Sequence, residues 1–279
     1  MQNRQYSPHP VLSDYVQCLW TSQRDFLPPL DVLDVLPDSF IELIFSSGAR
    51  CWIDDGRTAR DLPRCYLVGM LDEPFRLRAD GPVQAVAARF FAWGLHPLLG
   101  HMLTRPPNGM HDLDACWPHL AAQIAQAMRH GDGNLAVAHL HDFLIAQALH
   151  VQPDQNALQA ARLLLRRQGQ VKIGDLADSC HVSRRQLERT FSAVVGISPK
   201  ALACKMRFEH VRDQLWRTPD CDLATLAHSC GYADQAHLTR EFKRFSHRTP
   251  GQFVAEMHAT RELLRTYGVA FVQDRTTVV

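Results

Sequence analysis

Residues 176–202, LADSCHVSRRQLERTFSAVVGISPKAL, and residues 226–253, LAHSCGYADQAHLTREFKRFSHRTPGQF, repeat one pattern, and a chain that carries it must build the same helical unit twice. In both copies Leu-Ala-x-Ser-Cys is followed by Leu-x-Arg-x-Phe (Leu187, Arg189, Phe191; Leu238, Arg240, Phe242) and then by Ser/Thr-Pro at Pro199 and Pro250. The offset is 50 residues at the first landmark and 51 at the later ones, so the second copy has one extra residue in its turn.

Each copy has the parts of a helix-turn-helix. A short helix carries Leu176 and Ala177, or Leu226 and Ala227, and the small residue lets a second helix cross closely. The turn must visit φ > 0, which Gly231 supplies in the second copy. Ser183 and Asp234 then stand where side-chain oxygens can accept the free amides of the next helix. That helix is apolar at i, i+4, which makes one stripe core and leaves the opposite face free. The free face shows Arg184, Arg185, Glu188 and Arg189 in the first copy and Gln235, Ala236, Thr239 and Arg240 in the second. Arg and Gln read guanine and adenine edges bidentately, and Ala can lie against a thymine methyl. Between the copies, residues 199–216 start with Pro at a tolerated first-turn position and are apolar at 202, 206, 208, 211 and 215, close to helical periodicity. Such a helix spans about 27 Å, against about 34 Å for a turn of DNA, so one chain can present two reading helices to successive major-groove segments.

GYADQAHLTREFKRFSHRTPGQF resembles the signature of the AraC/XylS family of bacterial transcription regulators, and SRRQLERTF, GISPKAL and MRFEHVRDQL resemble the first half of the same module. The resemblance covers roughly residues 157 to 257. It implies a seven-helix DNA-binding domain, with base-reading residues Arg185, Glu188 and Arg189 in the first unit and Gln235, Ala236, Thr239 and Arg240 in the second. His181 and His247 stand where the family usually has Gly, and Ala236 replaces a frequent Ser.

Charge divides in the same way. Residues 157–279 carry a net +7 and residues 1–156 a net −6, so the near-neutral whole hides a basic half. Phosphate contacts need such a half, and counterion release makes them salt-sensitive. Lys200, Lys205, Lys243, Arg244 and Arg248 are the expected phosphate contacts, joined by Ser183 and His237 at the start of the reading helices. The expected partner is double-stranded DNA, with RNA polymerase a second one if the protein is an activator, as members of the family most often are.

A chain of 279 residues accommodates two domains. Residues 1–150 are expected to form a regulatory, effector-binding or dimerising domain, 151–156 a linker with Asp154 capping the next helix, and 157–279 the DNA-binding domain, with helix-turn-helix units at about 173–196 and 223–247. The absence of a long apolar run or an apolar leader core predicts a cytoplasmic protein without a membrane partner. Eight cysteines include no CxxC, and Cys180 and Cys230 occupy equivalent places in the two repeats, as small packing residues do. The histidines form no metal signature, so neither metal nor cofactor is expected. A DNA repair enzyme with a cysteine acceptor would need a thiol in a basic or metal environment, and no such cluster is seen.

The fold class expected is α+β, with a small β-barrel or sandwich ahead of the all-α module. Short β-like runs at 40–45, 50–53, 65–70, 75–79 and 83–91 are separated by turn signals, and helical stretches follow at roughly 117–130 and 134–150. In the second, Leu140, Phe143, Leu144 and Gln147 outline a face expected to pack on the barrel, with pairing to a second copy of the chain as the alternative. LPDSFIELIF and RFFAWGLHPLLG resemble segments of the variable, cupin-like N-terminal domains found ahead of AraC-type modules. That resemblance implies a sensing or dimerising domain for an unidentified small molecule; a protein partner in place of a metabolite is the alternative. Residues 31–92 contain no His, unlike the metal sites of cupin enzymes. Glu42 and Arg89, charged residues within apolar strands, are effector-binding candidates, although strand alternation favours placing them toward solvent.

Overall fold

The structure, a computed structural model, describes residues 2–26, 31–54, 59–100, 109–149 and 155–266, with only the backbone at Gln2 and beyond residue 260. Residues 151–154 of the expected linker, with the Asp154 cap, lie outside the described residues. The N-terminal half contains β1 (Gln2–Tyr6), β2 (Val16–Asp25), β3 (Val32–Val35), β4 (Phe40–Gly48), β5 (Cys51–Asp54), β6 (Ala59–Asp61), β7 (Cys65–Val68), β8 (Phe75–Ala79), β9 (Pro82–Phe91) and β10 (Met110–Asp112). Among the described residues a 3-10 turn (Pro10–Leu12) and three α-helices accompany them: α1 (Leu95–Leu99), α2 (Pro118–Arg129) and α3 (Gly133–Ala148). The strands form two antiparallel sheets, six-stranded β1-β2-β9-β4-β7-β10 and four-stranded β3-β8-β5-β6.

The strand expectations hold at β4, β5, β7, β8 and β9, whereas β1 and β2 lie ahead of the region expected to be β. Alternation explains both faces of the larger sheet. Ile41, Leu43 and Phe45 of β4 and Val86, Ala88 and Phe90 of β9 join one core with Leu140 and Leu144 of α3, so the amphipathic face of α3 packs on the sheet. The other parity turns inward: Ile44, Tyr66 and Ala87 cluster with Trp20, Val68 and Ala85 on the face toward the smaller sheet.

Among the described residues, the C-terminal half is seven helices: α4 (Gln155–Arg166), α5 (Ile173–Ser179), α6 (Arg184–Val195), α7 (Pro199–Arg217), α8 (Leu223–Ser229), α9 (Gln235–Ser246) and α10 (Pro250–Thr266). Helices α5 and α6 form one helix-turn-helix, α8 and α9 the other, and α7 joins them, as the repeat requires. Pro199 opens α7 with Ser198 as its cap, which accepts from the Ala201 amide. After α4 the chain turns at Gly169, with φ 76°. A Cβ there would stand 2.2 Å from the carbonyl oxygen of Ala203, so only glycine lets this turn lie against α7.

Candidate nucleic-acid interface and inter-sheet cavity

Helices α6 and α9 are delimited by matched devices. Ser183 Oγ accepts from the Gln186 amide at 3.3 Å and Asp234 Oδ1 from the His237 amide at 2.6 Å. His181 and Gly231 take φ of 55° and 75° before the two caps, and Gly196 and His247 take 82° and 59° at the far ends. Both histidines thus adopt the left-handed backbone that glycine adopts at the matching place in the other repeat. Leu187, Phe191 and Val195 bury one face of α6, and Leu238, Phe242 and Phe245 one face of α9.

The opposite faces are open. Arg184, Arg185 and Arg189 are exposed and Glu188 is half-buried; Gln235, Ala236 and Arg240 are exposed and Thr239 half-buried. Arg184 Nε donates to Glu188 Oε1 at 3.0 Å, one turn away. Ser183 uses its oxygen as the cap but keeps a hydroxyl proton to donate. His237 is half-buried and edge-on to Tyr232, with ring centroids 5.2 Å apart. Lys200, Lys243 and Arg244 are exposed.

Lys205 and Arg248 depart from the phosphate expectation. Lys205 is 2% exposed and donates to the carbonyl of Leu71 and to Asp72, the latter at 2.9 Å. Arg248 Nη2 lies 2.6 Å from Asp34 Oδ2 of β3, and its Nε pairs with Glu256. Neither side chain can reach a phosphate in this arrangement. Lys205, Glu209 and Arg212 follow one another at i, i+4 and i+7 on α7 and all three are buried. Ser39 donates to Glu209, and Arg212 Nη1 donates to the Pro37 carbonyl at 3.5 Å. This polar stripe is where the N-terminal half sits. Its spacing was present in the sequence, but charged residues on a helix ordinarily face water, and nothing local marks these as covered.

A second feature invisible in the repeat sets the two units against each other. Arg207 of α7 donates through Nη2 to both carboxylate oxygens of Glu241 on α9, each at 3.2 Å, and through Nη1 to the Gly169 carbonyl at 3.4 Å. Tyr232 Oη donates to the same Glu241 at 2.8 Å. Burial alone would lower the Arg207 pKa, but Glu241 outweighs it and the net shift is upward. The phenol of Tyr232 is pushed well above its usual value, first by burial and then by Glu241. One guanidinium therefore bonds to the turn after α4 and to α9 together.

Between the two sheets lies a cavity of about 310 Å³. Its walls are mostly apolar, with Trp20, Phe40, Tyr66, Phe75 and Leu77 from the sheets and Trp216 and Phe253 from α7 and α10. Ala85 on β9 leaves part of this room, because a larger residue at that inward position would occupy it. Glu42 and Arg89 line the same cavity and do not point to solvent, which corrects the expectation from alternation: both faces of this sheet are covered, so the inward parity is itself interior. Arg89 donates through Nη1 to Glu42 Oε1 at 2.9 Å and through Nη2 to Asp38, and lies over the Phe40 ring. Burial would lower its pKa, yet Asp38 and then Glu42 raise it overall. Cys180 and Cys230 are buried beneath the two helix-turn-helix units, and burial raises both thiol pKa values, as befits packing residues. Among the described residues no group of His, Cys, Asp and Glu is placed to hold a metal ion, and no helix is long and apolar enough to cross a membrane.

Residues 176–256 match a family described as a helix-turn-helix domain, and residues 4–105 match one described as a domain of unknown function. The chain is 38% identical over 81 residues to an AraC-like transcription regulator of Streptomyces lividans, which is 29% of this chain and 26% of that protein. It is 36% identical over 84 residues to the HTH-type transcriptional regulator MtrA of Neisseria gonorrhoeae, or 30% and 28% of the two chains. The chain thus spans between a quarter and a third of the length of these curated relatives, which are transcription regulators. The solved structure of ToxT from Vibrio cholerae aligns with 85% of this chain and 98% of its own, at 11% identity and a TM-score of 0.48.

Proposed function

We propose that this chain, whose residues 176–256 are an AraC-type helix-turn-helix domain, is a sequence-specific transcription regulator. It reads two successive major-groove segments of double-stranded DNA with α6 and α9, under the control of a small molecule held between the sheets of the N-terminal half. The observation that carries the first part is the pair of capped helices, each with a buried stripe and an open face bearing Arg and Gln. They are joined by a helix of about 28 Å and tied together by the Arg207–Glu241 pair. Arg185 and Arg240 are the base-reading residues, with Lys200, Lys243 and Arg244 on phosphate. The second part rests on the cavity: its volume lies at the lower end of the range for small-molecule sites, and its apolar walls with a few fixed polar groups have the usual character of one. Such a site takes a compact, mainly apolar molecule.

Selection of sheared genomic DNA on the full-length protein, beside an Arg185→Ala/Arg240→Ala variant at near-physiological salt, tests the reading. A two-part site with halves about one helical turn apart, enriched by the first protein and lost in the second, is the expected result. Equal retention of all fragments by both proteins would contradict sequence-specific readout.

A further inference from the structure

We infer that residues 34–39, the segment that crosses from one sheet to the other, transmit occupancy of the inter-sheet cavity to the second helix-turn-helix unit. The inference rests on the reading of the cavity as an effector site and adds how that site acts on DNA binding.

Strand β3 belongs to the four-stranded sheet and β4 to the six-stranded one, so Leu36–Ser39 bridge the two walls of the cavity. Any occupant that spreads the walls must move this bridge. Leu36 lines the cavity and is at the same time buried in the core of the second unit, in one cluster with Phe208, Phe242, Phe245 and Phe253. Among the described residues it is the only one of the N-terminal half in the buried part of that cluster. On either side of it the segment bonds to the DNA-binding half: Asp34 to Arg248, the Pro37 carbonyl to Arg212, and Ser39 to Glu209. Arg248 follows α9 directly, in the turn that leads into α10. The first unit is held differently, because its core residues Leu187 and Phe191 share one apolar cluster with the N-terminal sheet and α1. Spreading the sheets therefore withdraws Leu36 and strains the Asp34–Arg248 pair. It loosens the second reading helix while the first stays fixed, and it releases Arg248 toward phosphate.

A side chain that fills the cavity stands in for the occupant, so the test needs no natural effector. Amide hydrogen exchange of α8–α10 is measured in the full-length protein for wild type, Ala85→Phe, Leu36→Ala and the double variant. Val68→Phe, from strand β7 of the same sheet and also lining the cavity, serves as a second filling variant should Ala85→Phe fail to fold. Filling is expected to speed exchange of α9 and the start of α10 by about fivefold or more, the lower end of the range for coupled sites. Exchange of α5–α6 is expected to stay as it was, and filling in the Leu36→Ala background is expected to add nothing. Filling that acts equally with and without Leu36, or that leaves α8–α10 unchanged in a folded protein, overturns the transmission role. Binding of the fluorescent dye 1-anilinonaphthalene-8-sulfonate to wild type, and its loss in the filled variants, reports separately whether the cavity admits a small molecule. Failure of the effector reading is thereby distinguished from failure of the coupling.

Discussion

At the scale of single residues, the same side-chain chemistry serves three different purposes in the basic half. Arg185 and Arg240 are exposed on the open faces, Lys243 and Arg244 are exposed after Arg240 on α9, and Lys205, Arg207 and Arg248 are consumed in contacts within the protein. In the proposed mode, base-reading and phosphate residues differ in what their loss does. Arg240→Ala is expected to relax preference at one half of the site, at a cost of about 1–3 kcal/mol for the favoured base pair. Lys243→Ala is expected to weaken all duplexes alike and to reduce the salt slope by about one. Titration of matched and mismatched duplexes across salt concentrations separates the two, and uniform loss in both variants would show the reading positions to be misplaced. Glu241 presents a third case. Both it and Arg207 are largely buried, at 10% and 17% side-chain exposure. Glu241→Ala leaves a guanidinium unpaired in the interior, which costs about 3–5 kcal/mol. Chemical denaturation is expected to show that loss, although Glu241 touches no DNA in the proposed mode.

At the scale of elements, each device that starts or ends α6 or α9 has its own measurable contribution. Asp234→Ala removes the side-chain acceptor for the His237 amide and is expected to lower stability by about 1 kcal/mol. His247 holds φ at 59°, where a Cβ is unfavourable by roughly 1–2 kcal/mol. His247→Gly is therefore expected to raise the midpoint of thermal unfolding, and a lowered midpoint would mean that the imidazole contributes more than the backbone costs. These devices were legible in the sequence because they are local: a cap, a turn and an i, i+4 stripe occupy a dozen residues, and duplication prints each of them twice. The strands β4, β5, β7, β8 and β9 were legible for the same reason, from short β-rich runs between turn signals. What was not legible is long-range. Strands β1 and β2 carry polar residues such as Gln5, Ser22 and Gln23, and they become strands by pairing with each other and with β9. The fate of Lys205 and Arg248 depends on Asp72 and Asp34, more than a hundred residues away, and no local spacing encodes such a partner. The inward turn of Glu42 and Arg89 needed knowledge that both faces of one sheet are covered.

At the scale of the whole molecule, the apolar interior does not divide where the halves of the sequence do. One cluster runs from the larger sheet through Leu95, Leu98 and Leu99 of α1 to Leu158 of α4, Leu187 and Phe191 of α6 and Met206 of α7. The second helix-turn-helix unit has its own cluster, from Phe208 to Met257, joined by Leu36. Two titrating side chains sit at the seams of this arrangement. His141 of α3 accepts the His9 amide through Nε2 at 2.9 Å, which ties the N-terminal segment to the helical layer. His210 lies on α7 between Glu209 and Val211, both buried. Burial lowers the pKa of each; Asp142 opposes and His9 adds to the shift at His141, and Asp213 opposes and Arg217 adds to it at His210. The sign of the pH effect follows. Below about 6.5, the ordinary histidine value, the unfolded chain binds protons at these two positions that the folded chain still refuses. Stability is then lost as pH falls toward the lowered folded values, and it is fully present above about 6.5. Denaturant unfolding between pH 8 and pH 5 is expected to give a level free energy down to neutrality and a decline below it. His141→Asn and His210→Asn should each flatten that decline, and His141→Asn should do so with the docking of residues 9–12 as its local readout. A stability that rose on acidification through this window would mean that the imidazolium forms, not the neutral rings, are the ones the fold favours.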